Sequence, residues 1–147
     1  MPLLKYLVDT NVVSDWMRGE ATVVEWMDEH QVEVAVSSLT VAELRRGIEF
    51  KVDGKARREL EREFGYTMEF FEEAVWLFDE AAAFEWGRLM TEARTHPLPY
   101  DDSLIGAIAR SMSAIVVTRN VKHFPGCRTV DPWTGKESPA WRPPGER

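Results

Sequence analysis

The chain has 147 residues, of which 44% are hydrophobic and 29% charged, and its formal net charge is −7. This length and composition predict one globular domain, and the acidic balance argues against a generic nucleic-acid binder, whose footprint is a basic patch. No segment approaches the about 18 consecutive apolar residues of a membrane span, and residues 1–5 lack the features of a signal peptide. The lone Cys127 excludes an internal disulfide and favours a reducing compartment, so we expect a cytoplasmic protein with no membrane contact.

Short apolar strands alternate with helical stretches along the chain. Strands alternating with helices predict an α/β fold with a central parallel sheet of four or five strands, flanked by helices and joined by right-handed crossovers. In chain order the predicted elements are a strand at 4–8, helices at 11–18 and 22–30, a strand at 32–36, helices at 39–52 and 55–74 (interrupted at Gly65), a strand at 75–78, a helix at 80–94, a break at 96–99, a helix at 102–112, and strands at 114–118 and near 128–130.

The chain divides into a folded region and a tail of different composition. Residues 1–133 contain all the predicted strands and helices, whereas residues 134–147 are rich in proline, with Pro139, Pro143 and Pro144. Proline-rich terminal segments rarely continue a sheet or a helix. We therefore expect one domain over residues 1–133 and a loosely ordered C-terminal tail over residues 134–147.

Polar residues stand where predicted strands end or the following helices begin. Asp9 ends the first strand, Glu43 lies just over one turn into the helix after the second strand, Asp101 and Asp102 open a later helix, and Asn120 follows the fourth strand. In a parallel sheet these positions lie along the edge where ligands bind. Converging carboxylates repel one another unless a cation lies between them, and Mg²⁺ suits a site of few carboxylates and several waters. The pattern predicts metal-dependent chemistry on a phosphodiester.

Each of these residues also has a purely structural interpretation. Asp9 belongs to a residue type that commonly caps helices, and Asp101 and Asp102 complement a helix dipole. Glu43 falls away from the apolar stripe of its helix and so fits a solvated glutamate, while Asn120 fits the start of a turn. Taken singly these signals are weak. Their joint placement at one predicted sheet edge favours the site.

Five segments match motifs of a known family: YLVDTNVVS (6–14), VSSLTVAELRRGI (36–48), DSLIGA (102–107), VTRNVKHF (117–124) and DPW (131–133). Over residues 4–133 the chain resembles the PIN-domain ribonucleases of the VapC type, the toxins of toxin–antitoxin pairs, and is most similar to the FitB-like branch. The resemblance implies a single PIN-like domain that hydrolyses RNA with Mg²⁺ or Mn²⁺ as cofactor. It also implies an antitoxin partner of the VapB or FitA type and a homodimer.

The resemblance assigns roles to individual residues. The family's acids fall on Asp9, Glu43 and Asp102, which would bind the metal and position the attacking water. Asp102 is chosen because the family acid stands three residues before the isoleucine that is Ile105 here, although helical periodicity favours Asp101, an additional candidate ligand. The remaining candidates are Asn120 in the catalytic set, Thr10, Asn11, Ser37 and Thr118 in support, and Arg119 and Lys122 for substrate binding.

The chain departs from the family pattern at His123. The FitB-like branch usually carries a fourth acid at this position, just before the phenylalanine that is Phe124 here. A neutral imidazole is a poorer ligand for a hard cation than a carboxylate. We therefore expect no direct contact from His123 to Mg²⁺, and a hydrogen bond within the loop 120–124 or a contact to an RNA phosphate instead.

Two other functions fit parts of the pattern. A catalytically weak subunit that acts through its antitoxin in a DNA-binding complex is the main alternative, and His123 is its best support. A phosphotransfer enzyme or receiver domain would also carry an acid at the first strand tip. Such proteins need a further aspartate at positions held here by Asn11 or by Ser37 and Ser38, which argues against this class.

Overall fold

The computed structural model describes residues 3–144, and the elements follow the predicted alternation closely. Polar residues at strand ends cap the helices that follow: Asp9 Oδ1 accepts from the Val12 backbone N–H at 2.9 Å, and Ser37 Oγ accepts from the Thr40 N–H at 3.1 Å. The strands are β1 (Tyr6–Val8), β2 (Val34–Ser37), β3 (Val75–Trp76), β4 (Ile115–Val117), β5 (Thr129–Val130) and β6 (Glu137–Ser138). The helices are α1 (Thr10–Met17), α2 (Ala21–Glu29), α3 (Ser38–Glu49), α4 (Lys55–Phe70), α5 (Glu80–Glu92) and α6 (Tyr100–Ser111), with a 3₁₀ turn at Val121–His123.

The described strands form one sheet in the order β3-β2-β1-β4-β5-β6. All neighbouring pairs are parallel except β5 and β6, which are antiparallel. The predicted α/β class and central parallel sheet are confirmed, with β6 as an additional edge strand. From β1 the chain proceeds to β2 and β3 on one side, and then crosses to β4 and β5 on the other. The strand order therefore reverses between β1 and β4.

Helices cover both faces of the sheet because successive strand residues point to opposite sides. In β1, Leu7 packs into one buried cluster, whereas Val8 packs into another. The first cluster includes Ile105 and Ile108 of α6, and the second includes Val12 and Val13 of α1. This arrangement makes three layers, with the sheet between two sets of helices, and fixes the strand ends at the margin of the core.

Two sequence predictions are corrected by the structure. Helix α4 runs through Gly65 without a break, because one glycine weakens a helix without ending it. The prediction of a loosely ordered tail is wrong for residues 134–144: Val130 pairs with Glu137, the Gly126 N–H donates to the Trp141 carbonyl at 2.6 Å, and Arg142 pairs with Glu92 at 2.9 Å. The domain boundary at residue 133 stays a prediction, and residues 145–147 lie outside the described range.

None of the helices within residues 3–144 is long and apolar enough to cross a membrane.

Candidate active site

The predicted site lies where the strand order reverses, between the carboxyl ends of β1 and β4. Val8 and Val117 are register partners, so Asp9 and Thr118 follow them side by side, and the Asp9 N–H donates to the Val117 carbonyl at 3.1 Å. Reversal points of this kind leave a crevice in which α/β proteins bind ligands. Topology therefore places Asp9 at the position where an open α/β sheet carries its chemistry.

Asp9 is a buried carboxylate, with only 3% of its surface exposed. Burial raises its pKa from the ordinary value of 3.8 to about 6, and the negative charge of Asp102 raises it further. The Thr118 hydroxyl and the Val12 N–H stabilise the charged form and oppose this shift. The charge on Asp9 is therefore poorly compensated by the protein itself.

Glu43 is held toward the site by a row of hydroxyl groups, and this excludes the interpretation as a solvated glutamate. Thr10 Oγ1 donates to Glu43 Oε1 at 3.2 Å and lies 2.8 Å from Thr40 Oγ1. Since the Thr10 hydrogen points to Glu43, Thr40 donates to Thr10, and Ser37 Oγ in turn donates to Thr40 at 3.2 Å. Burial first, and then the charge of Asp101, raise the pKa of Glu43.

The two neighbouring aspartates at the start of α6 affect the pKa values of the site unequally. Asp102 raises the pKa of Asp9, whereas Asp101 has a larger effect than Asp102 on the pKa of Glu43. Asp102 is half-buried, and burial raises its own pKa against the opposing effect of His123. The sequence left open which aspartate contributes to the site. In the structure both raise pKa values within the acidic cluster: Asp102 raises that of Asp9, and Asp101 and Asp102 together raise that of Glu43.

His123 contacts Asp102 directly. Its Nδ1 lies 2.8 Å from Asp102 Oδ2, which means that the imidazole donates to the carboxylate. The expectation that the side chain bonds within the loop 120–124 is wrong. Only the His123 backbone N–H bonds there, to the Asn120 carbonyl at 2.9 Å. His123 thus restrains Asp102 within the acidic cluster.

The acids form an electrostatic cluster without a preassembled set of metal ligands. Within residues 3–144 no three His, Cys, Asp or Glu side chains are grouped closely enough to hold a metal ion. Each acid is bonded to a donor of the protein: Asp9 to Val12, Glu43 to Thr10, and Asp102 to His123. The three carboxylates nevertheless fit a hard divalent cation, because such ions prefer oxygen ligands. Their pKa values are raised, as expected where the surrounding protein offers little positive charge to the ionised carboxylates.

A groove of about 530 Å³ opens beside Asp9. It is lined by Asn11, Asn120 and Arg119, as expected for site residues. Lys122 does not line this groove: it is exposed on the 3₁₀ turn, and its carbonyl contacts His96 Nε2 at 3.2 Å. Of the two cations predicted to bind substrate, only Arg119 is next to Asp9.

Several residues of the site were missed by sequence reasoning. Thr40 is fully buried and connects Ser37 to Thr10, but its motif position gave no sign of that contact. Trp133 lies under Arg119, with the guanidinium carbon 3.4 Å from the ring centroid. Asp15 of α1 and Arg18, the C-cap residue of this helix, line the same groove. Helical spacing from Asn11 could have identified the last two residues, whereas the Trp133 contact depends on the sheet order.

The fold and the acidic cluster at the β1–β4 reversal define a class of protein. A model of the PIN domain matches residues 6–125, and the chain belongs to this family.

The chain is similar to several named proteins, and to a solved structure, over most of its length. It is 35% identical to Toxin FitB of Neisseria gonorrhoeae, over 80% of this chain and 89% of that protein. It is 33% identical to the plasmid stability protein StbB of Pseudomonas syringae pv. tomato, over 86% and 97% of the two chains. It is also 33% identical to ribonuclease VapC19 of Mycobacterium tuberculosis, over 81% and 91%. A structure of FitAB bound to an IR36 DNA fragment matches with a TM-score of 0.79 and 32% identity, covering 87% of this chain and 95% of that one.

Proposed function

We propose that the protein is the toxin of a type II toxin–antitoxin module, a cytoplasmic metal-dependent endoribonuclease that hydrolyses RNA phosphodiester bonds. The observation that carries this proposal is the cluster of Asp9, Glu43 and Asp102, in which burial and the negative charge of Asp102 both raise the pKa values of Asp9 and Glu43. Repulsion between these carboxylates does not stabilise the fold. It favours the binding of a cation, because a bound cation removes the repulsion.

Asp9, Glu43 and Asp102 are the residues that would hold Mg²⁺ or Mn²⁺, with Asp101 as an additional ligand. A bound cation would supply positive charge for an activated water and for the developing charge of the phosphodiester. Each carboxylate would keep its present protein donor as an orienting contact: Val12 for Asp9, Thr10 for Glu43 and His123 for Asp102.

The remaining candidate residues surround this acidic centre in supporting positions. Thr118 stabilises the charged form of Asp9, and Ser37 restrains Glu43 through Thr40 and Thr10. Asn11 and Asn120 line the groove and offer amide groups to substrate, while Arg119 and Lys122 are exposed cations available to RNA phosphates.

Similar proteins support the partner assignment. The structures that resemble this chain include FitAB bound to DNA and DNA-bound VapBC from Salmonella typhimurium, the latter with 26% identity and a TM-score of 0.74. We infer that this chain likewise associates with a cognate antitoxin of the FitA or VapB type and forms a homodimer. Light scattering of the purified chain and of the complex tests both.

The ribonuclease proposal is tested by comparing Asp9→Asn with Asp79→Asn. Both aspartates cap a helix, Asp79 bonding the Ala82 N–H of α5 at 3.0 Å, but only Asp9 belongs to the acidic cluster. Expressed without a partner, the wild type and Asp79→Asn should arrest growth and cleave structured RNA with Mn²⁺, and Asp9→Asn should do neither. Equal growth arrest by wild type and Asp9→Asn would exclude metal-dependent cleavage as the mechanism.

The second candidate function is a catalytically weak subunit that acts in an antitoxin complex on DNA. The likeness to DNA-bound FitAB favours it, as does the imidazole at the position of the family's fourth acid. On this proposal Asp9→Asn keeps both the antitoxin complex and the cellular effect, and the purified wild type leaves RNA intact in Mn²⁺. The same two variants therefore discriminate between the functions.

A further inference from the structure

The groove beside Asp9 has one wall made by a polar face of α1. Asn11, Ser14, Asp15 and Arg18 occupy positions i, i+3, i+4 and i+7, which places them in one row on the helix surface. The opposite face of α1 packs Val13 into the core. This row therefore faces the groove because the apolar row of the same helix faces the sheet.

The other wall is a stacked pair, Arg119 on Trp133. The guanidinium carbon lies 3.4 Å from the centroid of the Trp133 ring, and Trp133 itself packs against the buried cluster that includes Val130. The Trp133 backbone N–H donates to Asp131 Oδ1 at 2.8 Å, which fixes the turn after β5. Stacking holds the guanidinium plane while leaving its N–H edge able to donate, an arrangement suited to a planar fork of donors.

The two walls carry two guanidinium groups and one carboxylate, and Asp9, which also lines the groove, brings the formal charges into balance. Asp15 pairs with Arg18 through Oδ1 and lies 3.9 Å from Arg119 through Oδ2, so that one carboxylate is shared by two guanidinium groups. The 3.9 Å separation is longer than a hydrogen bond, and Arg119 keeps its donors for a ligand. Its side chain is 55% exposed, which makes those donors accessible.

We propose that this groove is a second phosphate subsite, which binds the phosphate of the RNA nucleotide next to the one that is cleaved. The inference rests on the proposed ribonuclease function. Arg119 and Arg18 would contact the phosphate, and Asn11, Ser14 and Asn120 would contact the attached ribose. The volume of about 530 Å³ suits one nucleotide, because small-ligand pockets commonly measure about 300–1,000 Å³.

A phosphate is favoured over an apolar ligand because the groove offers arginine, amide and hydroxyl donors. Its continuity with Asp9 favours a nucleotide within the same strand over a free anion, since a strand that enters the acidic site must continue along one of its sides. Arg18 and Arg119 place guanidinium groups beside the acidic cluster, which favours the approach of a phosphate to this part of a chain of net charge −7.

The experiment measures binding of a fluorescein-labelled oligouridylate of about five nucleotides by fluorescence anisotropy. A chelator is present so that metal-dependent cleavage does not occur. Wild type is compared with Arg119→Ala, Arg119→Lys, Trp133→Leu and Arg62→Ala, between about 50 and 200 mM salt. Arg62 is an exposed arginine on α4 and serves as the matched charge control. Thermal melting checks that each variant folds.

We expect Arg119→Ala to weaken binding by about tenfold and to reduce the slope of log affinity against log salt by about 0.7, the value for one lost phosphate contact on a single strand. Arg119→Lys should keep the slope but bind more weakly, because an ammonium cannot stack as a planar fork. Trp133→Leu should likewise keep the salt slope and bind the oligouridylate more weakly than wild type. The affinity of Arg62→Ala should stay within about twofold of wild type.

The outcomes separate this subsite from the proposed function. If Arg119→Ala loses affinity and slope while the wild type never cleaves RNA in Mn²⁺, the groove still binds an RNA phosphate, but the ribonuclease proposal and the position next to a cleaved nucleotide both fail. If Arg119→Ala and Arg62→Ala behave alike, or the slope is unchanged, the subsite is wrong even where cleavage is observed. The subsite would also be overturned if the wild type bound no oligouridylate, or if it bound inorganic phosphate as tightly as the oligouridylate.

Discussion

Asp9 is both the cap of α1 and a buried acid, and only the second of these roles depends strongly on its charge. As the cap of α1 it accepts a hydrogen bond from Val12, which a charged or neutral oxygen can do. As a buried acid with a pKa raised to about 6, it opposes folding when ionised. Removing the charge while keeping the oxygen separates the two effects.

We predict that Asp9→Asn stabilises the metal-free protein at pH 7.5. A pKa raised from 3.8 to about 6 means that wild-type stability falls as pH rises through this interval and stays lower above it, by about 3 kcal/mol at most. Asn keeps the cap and lacks the ionised form. Urea unfolding with chelator at pH 7.5 and at pH 4 should show a gain at the higher pH that shrinks at the lower one.

Asp9→Ala provides the control for the cap. It also removes the charge, but losing the bond to Val12 costs about 1 kcal/mol, so it should be less stable than Asp9→Asn at both pH values. Added Mn²⁺ should stabilise the wild type and neither variant. A wild type that is at least as stable as Asp9→Asn at pH 7.5 in chelator would show that the charge is compensated.

His123 contacts Asp102, one of the carboxylates that we propose as a cation ligand. We predict that His123→Asp replaces a hydrogen bond of 2.8 Å by repulsion between two carboxylates, which lowers the melting temperature in chelator. The extra carboxylate should also strengthen Mn²⁺ binding, so the increase of melting temperature with Mn²⁺ should exceed that of the wild type. RNA cleavage should rise at limiting Mn²⁺ and differ less at saturation.

His123→Asn is the matched control, because an amide donates to Asp102 without adding charge. Its melting temperature and its response to Mn²⁺ should stay near those of the wild type. If His123→Asp responds to Mn²⁺ no more than wild type, the imidazole position does not face the cation. If it abolishes cleavage with Mn²⁺ binding intact, His123 itself takes part in the reaction.

At the scale of the elements, α1 and α3 are joined by hydroxyl groups rather than by apolar packing alone. Thr40 is the middle member, fully buried between Ser37 and Thr10. A buried hydroxyl that loses its partner costs free energy, whereas an isolated hydroxyl bonded to its own helix contributes little. The contact therefore links Glu43 of α3 to Thr10, the first residue of the helix that Asp9 caps.

We predict that Thr40→Val lowers the free energy of unfolding by about 1–3 kcal/mol and reduces Mn²⁺-dependent RNA cleavage, because Thr10 and Ser37 each lose a partner. Thr67→Val is the control: Thr67 is also buried, but its hydroxyl donates to the Glu63 carbonyl of its own helix. That substitution should cost less than about 1 kcal/mol and leave cleavage unchanged. Equal effects of the two variants on cleavage would show that the hydroxyl row does not position Glu43.

At the scale of the whole molecule, the segment after residue 133 completes the sheet. β6 covers the edge of β5, and Arg142 reaches Glu92, which also binds Arg110 at 2.8 Å. Arg110 is largely buried, so this network ties the last described residues to α5 and α6.

We predict that a chain ending at residue 133 melts lower than one ending at residue 144, by about 3–8 °C, because β5 becomes an unpaired edge and Glu92 loses Arg142. The shorter chain should keep the acidic cluster and so still respond to Mn²⁺. Scanning calorimetry of the two chains provides the measurement. Identical melting temperatures would mean that residues 134–144 add no stability, consistent with the domain boundary at 133.

Local sequence was sufficient for much of the fold and of the candidate site. The apolar run that ends at Asp9 and the capping residue Ser37 specify strand-to-helix junctions through contacts within a few residues. The predicted break at Gly65 failed because one glycine costs too little to end a helix. β6 was missed because its two residues, Glu137 and Ser138, are polar and precede a proline, unlike the β-branched and aromatic residues of β3 and β5.

What the sequence by itself determined was the alternation of elements and the identity of the acids at their junctions, since periodicity and capping are local properties. Only the tertiary structure decided which junctions meet. The sheet order brings Asp9 beside Thr118, α6 places Asp102 against His123, and the turn after β5 puts Trp133 under Arg119. These contacts join residues far apart in the chain, and they exist because burying both faces of one sheet brings distant strand ends to a common edge.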